Sequence, residues 1–115
     1  MAVTPLSSET EQPRAIASKT LATVNTWEVV EVPSWARLVT IINTHPTAIL
    51  RVATWTADGT AAPGAVQNIP VAAGAALTMA TSAGQAEPTV EERQIALHST
   101  QASHIAAFLI EAALG

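Results

Sequence analysis

Residues 27–56, WEVVEVPSWARLVTIINTHPTAILRVATWT, have the densest β-branched and aromatic content of the chain. Such side chains favour strands because they pack well on a pleated, half-buried surface. Two turns interrupt the stretch, at Pro33 and Pro46, and proline cannot donate to the ladder of a central strand. We therefore predict three consecutive antiparallel strands that form the framework of the fold.

Short apolar runs on either side of this stretch predict further strands. They are separated by segments rich in Gly, Pro and Asp, of which Asp58-Gly59 is the clearest turn signal. The runs lie at residues 14–24, 69–70, 75–81 and 93–98. The spacing predicts an all-β chain, an antiparallel β-sandwich or jelly roll of seven to eight short strands.

The last apolar segment, residues 104–114, is HIAAFLIEAAL. Its alanines and leucines also suit a helix, but it follows a short strand and a five-residue polar loop, so we predict a strand. Ile105 and Leu109 then lie on one face, and Phe108 and Ile110 on the other. A strand that is apolar on both faces is covered on both sides, by the core and by a neighbouring subunit.

The first 13 residues are polar, contain Pro5 and Pro13, and show no periodicity. Such a segment predicts an extended N-terminal arm (1–13) ahead of a single β-sandwich domain (14–115). We predict that the arm contacts a partner; the alternative is that it packs on its own domain.

The chain has 115 residues, of which only 12% are charged, about half the usual share of a soluble domain. A surface so poor in charge predicts burial in an assembly, and hence a homo-oligomer. The formal net charge is −4, and the five Lys and Arg residues are scattered. This distribution argues against a nucleic-acid partner, which would require a basic cluster.

The sequence contains no cysteine, so disulfides and thiolate metal sites are excluded. Its N-terminus lacks the basic start and apolar run of a signal peptide. No apolar run reaches the roughly 18 residues of a membrane helix. We expect a protein that has no membrane partner and is made or assembled in the cytoplasm.

No pattern in the chain predicts catalysis or a cofactor. A nucleophile elbow of the G-x-S-x-G type is absent, and the only aspartate, Asp58, lies in a glycine turn. His98 and His104 flank the loop 99–103 and would be cross-strand neighbours in a hairpin. A metal needs at least a third ligand, so we predict neither a metal site nor an enzyme.

Three tryptophans stand in a chain with one Phe and no Tyr. Trp27 and Trp55 lie in predicted strands and suit the core. Trp35 lies in a predicted turn, where a large ring is seldom left bare. We predict that Trp35 contacts another subunit, as tryptophan often does at interfaces; the alternative is a stacking platform for a sugar.

The whole layout resembles the capsid decoration, or cement, proteins of tailed bacteriophages. The chain is small, acidic and free of cysteine, with an N-terminal arm of Pro, Thr, Ser and Glu. Loops rich in Ala and Gly (57–65 and 72–76) join short predicted strands. The resemblance implies a protein that binds the outside of an assembled capsid, usually as a trimer, and reinforces the shell while its arm clamps neighbouring capsid subunits.

We accordingly predict a non-enzymatic virion structural protein on the capsid surface, assembled in the host cytoplasm. Its partners would be the major capsid protein or another virion protein, and further copies of itself as a homotrimer. No motif of the family aligns, so the contact residues come from this sequence alone: Pro5, Leu6, Pro13, Trp35, Phe108 and Ile110. The alternatives are a carbohydrate- or receptor-binding sandwich of a phage fibre or spike, and a minor head or tail protein.

Overall fold

Two β-sheets with nine strands make up the computed structural model, which describes residues 3–8, 10, 12–54, 68–80 and 93–112. All of its elements with described bounds are strands, and the predicted β-sandwich is confirmed. The ninth strand is β1, which lies in the segment predicted to be an arm. The strands are β1 (Val3–Pro5), β2 (Arg14–Leu21), β3 (Glu28–Glu31), β4 (Leu38–Asn43), β5 (Leu50–Thr54), β6 (Ile69–Val71), β7 (Ala76–Ala80), β8 (Gln94–His98) and β9 (His104–Glu111).

The chain alternates between the two sheets as it proceeds. One sheet has five strands in the order β1-β3-β8-β5-β6, and the other has four in the order β2-β9-β4-β7. All pairs are antiparallel except β1 with β3, which is parallel. Among these strands, only β5 and β6 are consecutive in the chain and lie in the same sheet, so nearly every connection crosses the sandwich.

Residues 27–54, the described part of the stretch quoted first, form three strands, as predicted, but those strands do not pair with one another. Strand β4 lies in the four-stranded sheet, whereas β3 and β5 lie in the five-stranded sheet and are separated there by β8. The turns at Pro33 and Pro46 therefore cross between sheets, and the prediction of three adjacent strands was wrong. A strand with one apolar face can bury that face against the core from either sheet. The local pattern therefore does not determine which strand it pairs with.

The loop 99–103 is likewise a crossing. It joins β8 of the five-stranded sheet to β9 of the four-stranded sheet, so His98 and His104 are not cross-strand neighbours. Strand β9 pairs on both sides, with β2 and with β4. Its central position confirms a strand at residues 104–111, where a helix was the alternative.

The core lies between the two sheets and is made of cross-strand rows. In the four-stranded sheet, Phe108 lies opposite Ile41, and Ile110 opposite Val39. In the five-stranded sheet, Val30 lies opposite Ile95. All six side chains are almost completely buried, and full burial of a side chain of this size contributes about 1.5–3 kcal/mol.

Candidate interaction surface

The outward side of the four-stranded sheet, called the outer face below, carries five large apolar side chains. Cross-strand pairing places Ile16 beside Leu109 and Ile42 beside Ala107. Residues that pair directly project to the same side of a sheet, so the outer face spans all four strands, with large apolar side chains on β2, β4 and β9 and only alanine and threonine on β7. The large members of the outer face are Ile16, Leu38, Ile42, Ile105 and Leu109.

The centre of the outer face carries no charge. Of the outward side chains described on these four strands, only Arg14 and Glu111 are charged, and they pair with each other at one end at 3.6 Å. Ile16 is 84% exposed and Ile105 is 46% exposed. Water therefore contacts a broad apolar and hydroxyl-bearing surface, which is the kind of surface that marks protein–protein contacts.

The size of the outer face can be estimated from strand geometry. Four strands about 4.8 Å apart and seven residues long, at about 3.4 Å per residue, cover roughly 450 Å² of flat area. A specific interface buries at least about 1,000 Å² in total, or about 500 Å² from each partner. The outer face therefore supplies close to one partner's share of the smallest specific interface.

Two of the predicted contact residues, Phe108 and Ile110, lie on the core side of β9, opposite to the outer face. Phe108 is 1% exposed and Ile110 is 0% exposed, and both pack in the chain's own core. The expected split of β9 into two apolar faces is correct, but the face assigned to a partner is the one that the core covers. Ile105 and Leu109 take the place of Phe108 and Ile110 as candidates for contact.

The sequence already indicated that Ile16 and Leu21 face opposite sides of their strand. Ile16 and Leu21 anchor the same predicted strand but lie five residues apart, an odd spacing that puts them on opposite faces. In the structure Leu21 is buried and Ile16 is exposed. Alternation within β2 therefore identifies an outward apolar residue, once one of the two is known to face the core.

Trp35 is buried against the chain's own N-terminal segment. It is 6% exposed, and its indole Nε1 donates a hydrogen bond to the Ser8 carbonyl at 3.0 Å. Leu6 packs against the same core cluster, and its backbone N–H donates to the Glu31 carbonyl at 2.9 Å. Neither a partner subunit nor a sugar has access to the Trp35 ring in this arrangement.

The described part of the predicted arm thus lies on its own domain, which was the alternative interpretation. Lys19 Nζ adds a hydrogen bond to Thr4 Oγ1 at 3.2 Å. Pro5 ends strand β1 at the margin of the five-stranded sheet and is exposed, as is Pro13. Of the predicted contact residues in this segment, Pro5 and Pro13 are exposed and accessible to a partner, whereas Leu6 packs against the core of its own domain.

A buried polar cluster at one end of the sandwich was not predicted. Asn43 Nδ2 donates to the Ala48 and Val71 carbonyls at 2.8 and 2.9 Å, and its Oδ1 lies 2.7 Å from His104 Nε2. Because Oδ1 is an acceptor, His104 Nε2 must carry the hydrogen. His104 Nδ1 then accepts the Ser99 hydroxyl hydrogen at 2.5 Å. The cluster ties together three connections that cross between the sheets, 44–49, 72–75 and 99–103.

Ser, His and Asn in one hydrogen-bonded chain resemble a nucleophile with its base and orienting group. Here all three side chains are buried, with Ser99 at 2% and the other two at 0% exposure. Burial lowers the pKa of His104, and the ring of His45, 5.0 Å away between centroids, lowers it further. The arrangement keeps a neutral imidazole inside the fold, where it satisfies buried polar groups.

His98 lies apart from this cluster. Its ring packs against the ring of Trp27, with the two centroids 5.0 Å apart. His104, by contrast, is completely buried at the start of β9 in the four-stranded sheet. Within the described ranges, no three side chains among His, Cys, Asp and Glu converge on one point. In the same part of the chain, no helix is long and apolar enough to cross a membrane.

Comparisons of the chain with protein-family models, with curated proteins and with solved structures found no match.

Proposed function

We propose that the chain is a non-enzymatic structural protein that works as a homo-oligomer within a larger assembly. The observation that supports this proposal is the outer face, whose centre carries no charge and whose large apolar side chains lie on three of the four strands. The resemblance to phage decoration proteins gives the specific form of the proposal: a capsid decoration protein that binds the major capsid protein and stabilises the shell.

We assign the outer face to a second copy of the chain. A charged partner surface would lose solvation against this face without gaining ion pairs, whereas another surface of this chain, with so few charges, suits it. If two outer faces meet, the oligomer is a two-fold dimer. If the outer face meets a different surface of the next copy, and the rotation between copies closes, the oligomer is a ring such as a trimer.

The modest area of the outer face fits use on a particle. An interface near the lower size limit gives a weak contact between free chains. Many such contacts in a closed lattice hold together firmly, because each one raises the effective concentration for the next. The exposed residues Pro5 and Pro13 remain available to the shell beneath.

The proposal is tested on purified particles of the virus that encodes the chain. We expect quantitative mass spectrometry to find the chain in numbers comparable to those of the major capsid protein, and particles stripped of it to break at lower temperature. A few copies per particle would place it instead among minor head or tail proteins. Its absence from particles would contradict the virion role.

A further inference from the structure

A cleft of about 360 Å³ opens at one end of the five-stranded sheet. Its volume is within the range of small-molecule sites. It lies beside the loop 99–103 and is separate from the outer face, which belongs to the other sheet. Its polar lining includes Thr47, Arg51, His98, Ser99, Thr100 and Gln101.

Arg51 is the cation of this cleft, and no carboxylate among the described residues pairs with it. It is exposed, and its hydrogen bond within the described residues goes from Nη1 to the neutral Asn68 Oδ1 at 3.0 Å. By contrast, Arg14, Lys19 and Arg93 each pair with a glutamate. No carboxylate is found among the described residues that line the cleft. In a chain of net charge −4, this is a place that favours an anion.

His98 stands directly beside Arg51. The two are cross-strand partners in the β5–β8 pair, and neighbouring partners project to the same side of the sheet. The ring of Trp27 packs against His98 at 5.0 Å and restricts its rotation. The cleft therefore has an arginine and a histidine side by side on neighbouring strands.

The loop that forms the rim is held by several independent contacts. The Ser99 carbonyl accepts from the Asn25 N–H at 2.8 Å, and Ser99 Oγ accepts from the Gln101 N–H at 3.0 Å. Ser103 adopts a φ of +56°, in the left-handed region that non-glycine residues seldom occupy. A rim fixed in this way loses little freedom when a ligand binds.

From these features we infer that the cleft binds a sugar acid, a small ligand that carries one carboxylate and several hydroxyl groups. A guanidinium matches a carboxylate with two parallel hydrogen bonds. The side chains of Thr47, Thr100 and Gln101 are neutral donors and acceptors suited to ring hydroxyls. This binding site is independent of the proposed assembly role, since no residue of the outer face takes part.

The test is a titration of the full-length chain, followed by NMR of its backbone amides. The probes are glucuronate, the neutral sugar glucose, and inorganic phosphate. We expect glucuronate to shift the amides of Arg51, His98 and Gln101 at millimolar concentrations, with glucose and phosphate binding more weakly. Arg51→Gln should weaken glucuronate binding about tenfold or more, as loss of a charge-assisted hydrogen bond implies.

The matched control is Arg14→Gln, which removes the same charge from an exposed arginine on the other sheet. It should leave glucuronate binding unchanged. Both arginines are exposed, so both variants should fold, and their thermal unfolding verifies this. The inference is overturned if glucuronate causes no shifts at the cleft, if phosphate binds as tightly as glucuronate, or if the two variants weaken binding equally.

Discussion

His104 is a titratable residue that the fold uses in one protonation state. Its Nδ1 accepts from Ser99 and its Nε2 donates to Asn43, so both ring nitrogens are satisfied only when the imidazole is neutral. A second proton would put a charge in a site with 0% exposure, which is costly without a counter-charge. The pKa of His104 is accordingly lowered, by burial first and by His45 second.

Stability should therefore depend on pH through this residue. The unfolded chain binds a proton at the ordinary pKa of 6.5, whereas the folded chain binds it only at lower pH. The stabilising effect of the neutral form is complete above 6.5 and is lost as the pH falls toward the folded pKa. We expect the free energy of unfolding in urea to be smaller at about pH 5.5 than at about pH 7.5.

Two variants separate the effect of His104 from that of His98. His98→Gln should retain the loss of stability at acid pH, and His104→Gln should reduce it. An NMR titration of the wild-type chain gives the pKa of His104 directly, whether or not the His104 variant folds. A His104 pKa at or above 6.5 would contradict this account.

Which residues face outward could be predicted only in part. The two faces of β9 were separated correctly by alternation, but both are apolar, so the sequence did not tell which one the core covers. Asn43 was not singled out, since its partners Val71 and His104 lie far away in the chain. Such a cluster depends on contacts between distant segments, which local patterns do not encode.

At the level of elements, strand positions were predictable and strand pairing was not. Strands β3, β4 and β5 lie within the stretch quoted first, because β-branched density marks extended backbone wherever it pairs. Their division between two sheets follows from packing of the whole core. Strand β1 was missed since its three residues, VTP, carry no alternation and end in proline.

Strand β1 and the residues after it should contribute measurably to stability. Deletion of residues 1–8 removes the ladder with β3, the Leu6 contact with the core and the acceptor of the Trp35 N–H. We expect a loss of roughly 2–3 kcal/mol, from about 1 kcal/mol for each net hydrogen bond and for partial burial of a leucine. The midpoint of urea unfolding measures it.

Trp35→Phe is the finer probe of the same contact. It keeps an aromatic ring in the core but removes the N–H donor to Ser8, so we expect a loss of about 1 kcal/mol. If the deletion leaves the unfolding midpoint unchanged, the segment does not pack on its own domain in solution. The interpretation of residues 1–13 as an arm for a partner would then be favoured.

For the whole molecule, the position of an assembly surface depends on where the charges lie, and the total charge alone does not locate it. The low charged fraction predicted an assembly surface but could not locate it, since the location depends on which strands share a sheet. The structure places the ion pairs Lys19–Glu28 and Arg93–Glu31 away from the outer face. The outer face is left with one ion pair at its end and apolar side chains across its centre.

Self-association of the purified chain tests the central claim, that the outer face binds a second copy. Ile16→Glu puts a charge at its most exposed apolar side chain, and Val24→Glu makes the same change in a turn outside the face. Because the face is small, association should be weak, with a dissociation constant between about micromolar and millimolar.

The measurement is sedimentation velocity over a wide range of protein concentrations. The wild-type chain and Val24→Glu should form a dimer or trimer as concentration rises, and Ile16→Glu should remain a single chain up to at least about tenfold higher concentration. The claim is contradicted if the wild-type chain stays a single chain at millimolar concentration, or if Ile16→Glu associates as readily as the wild type.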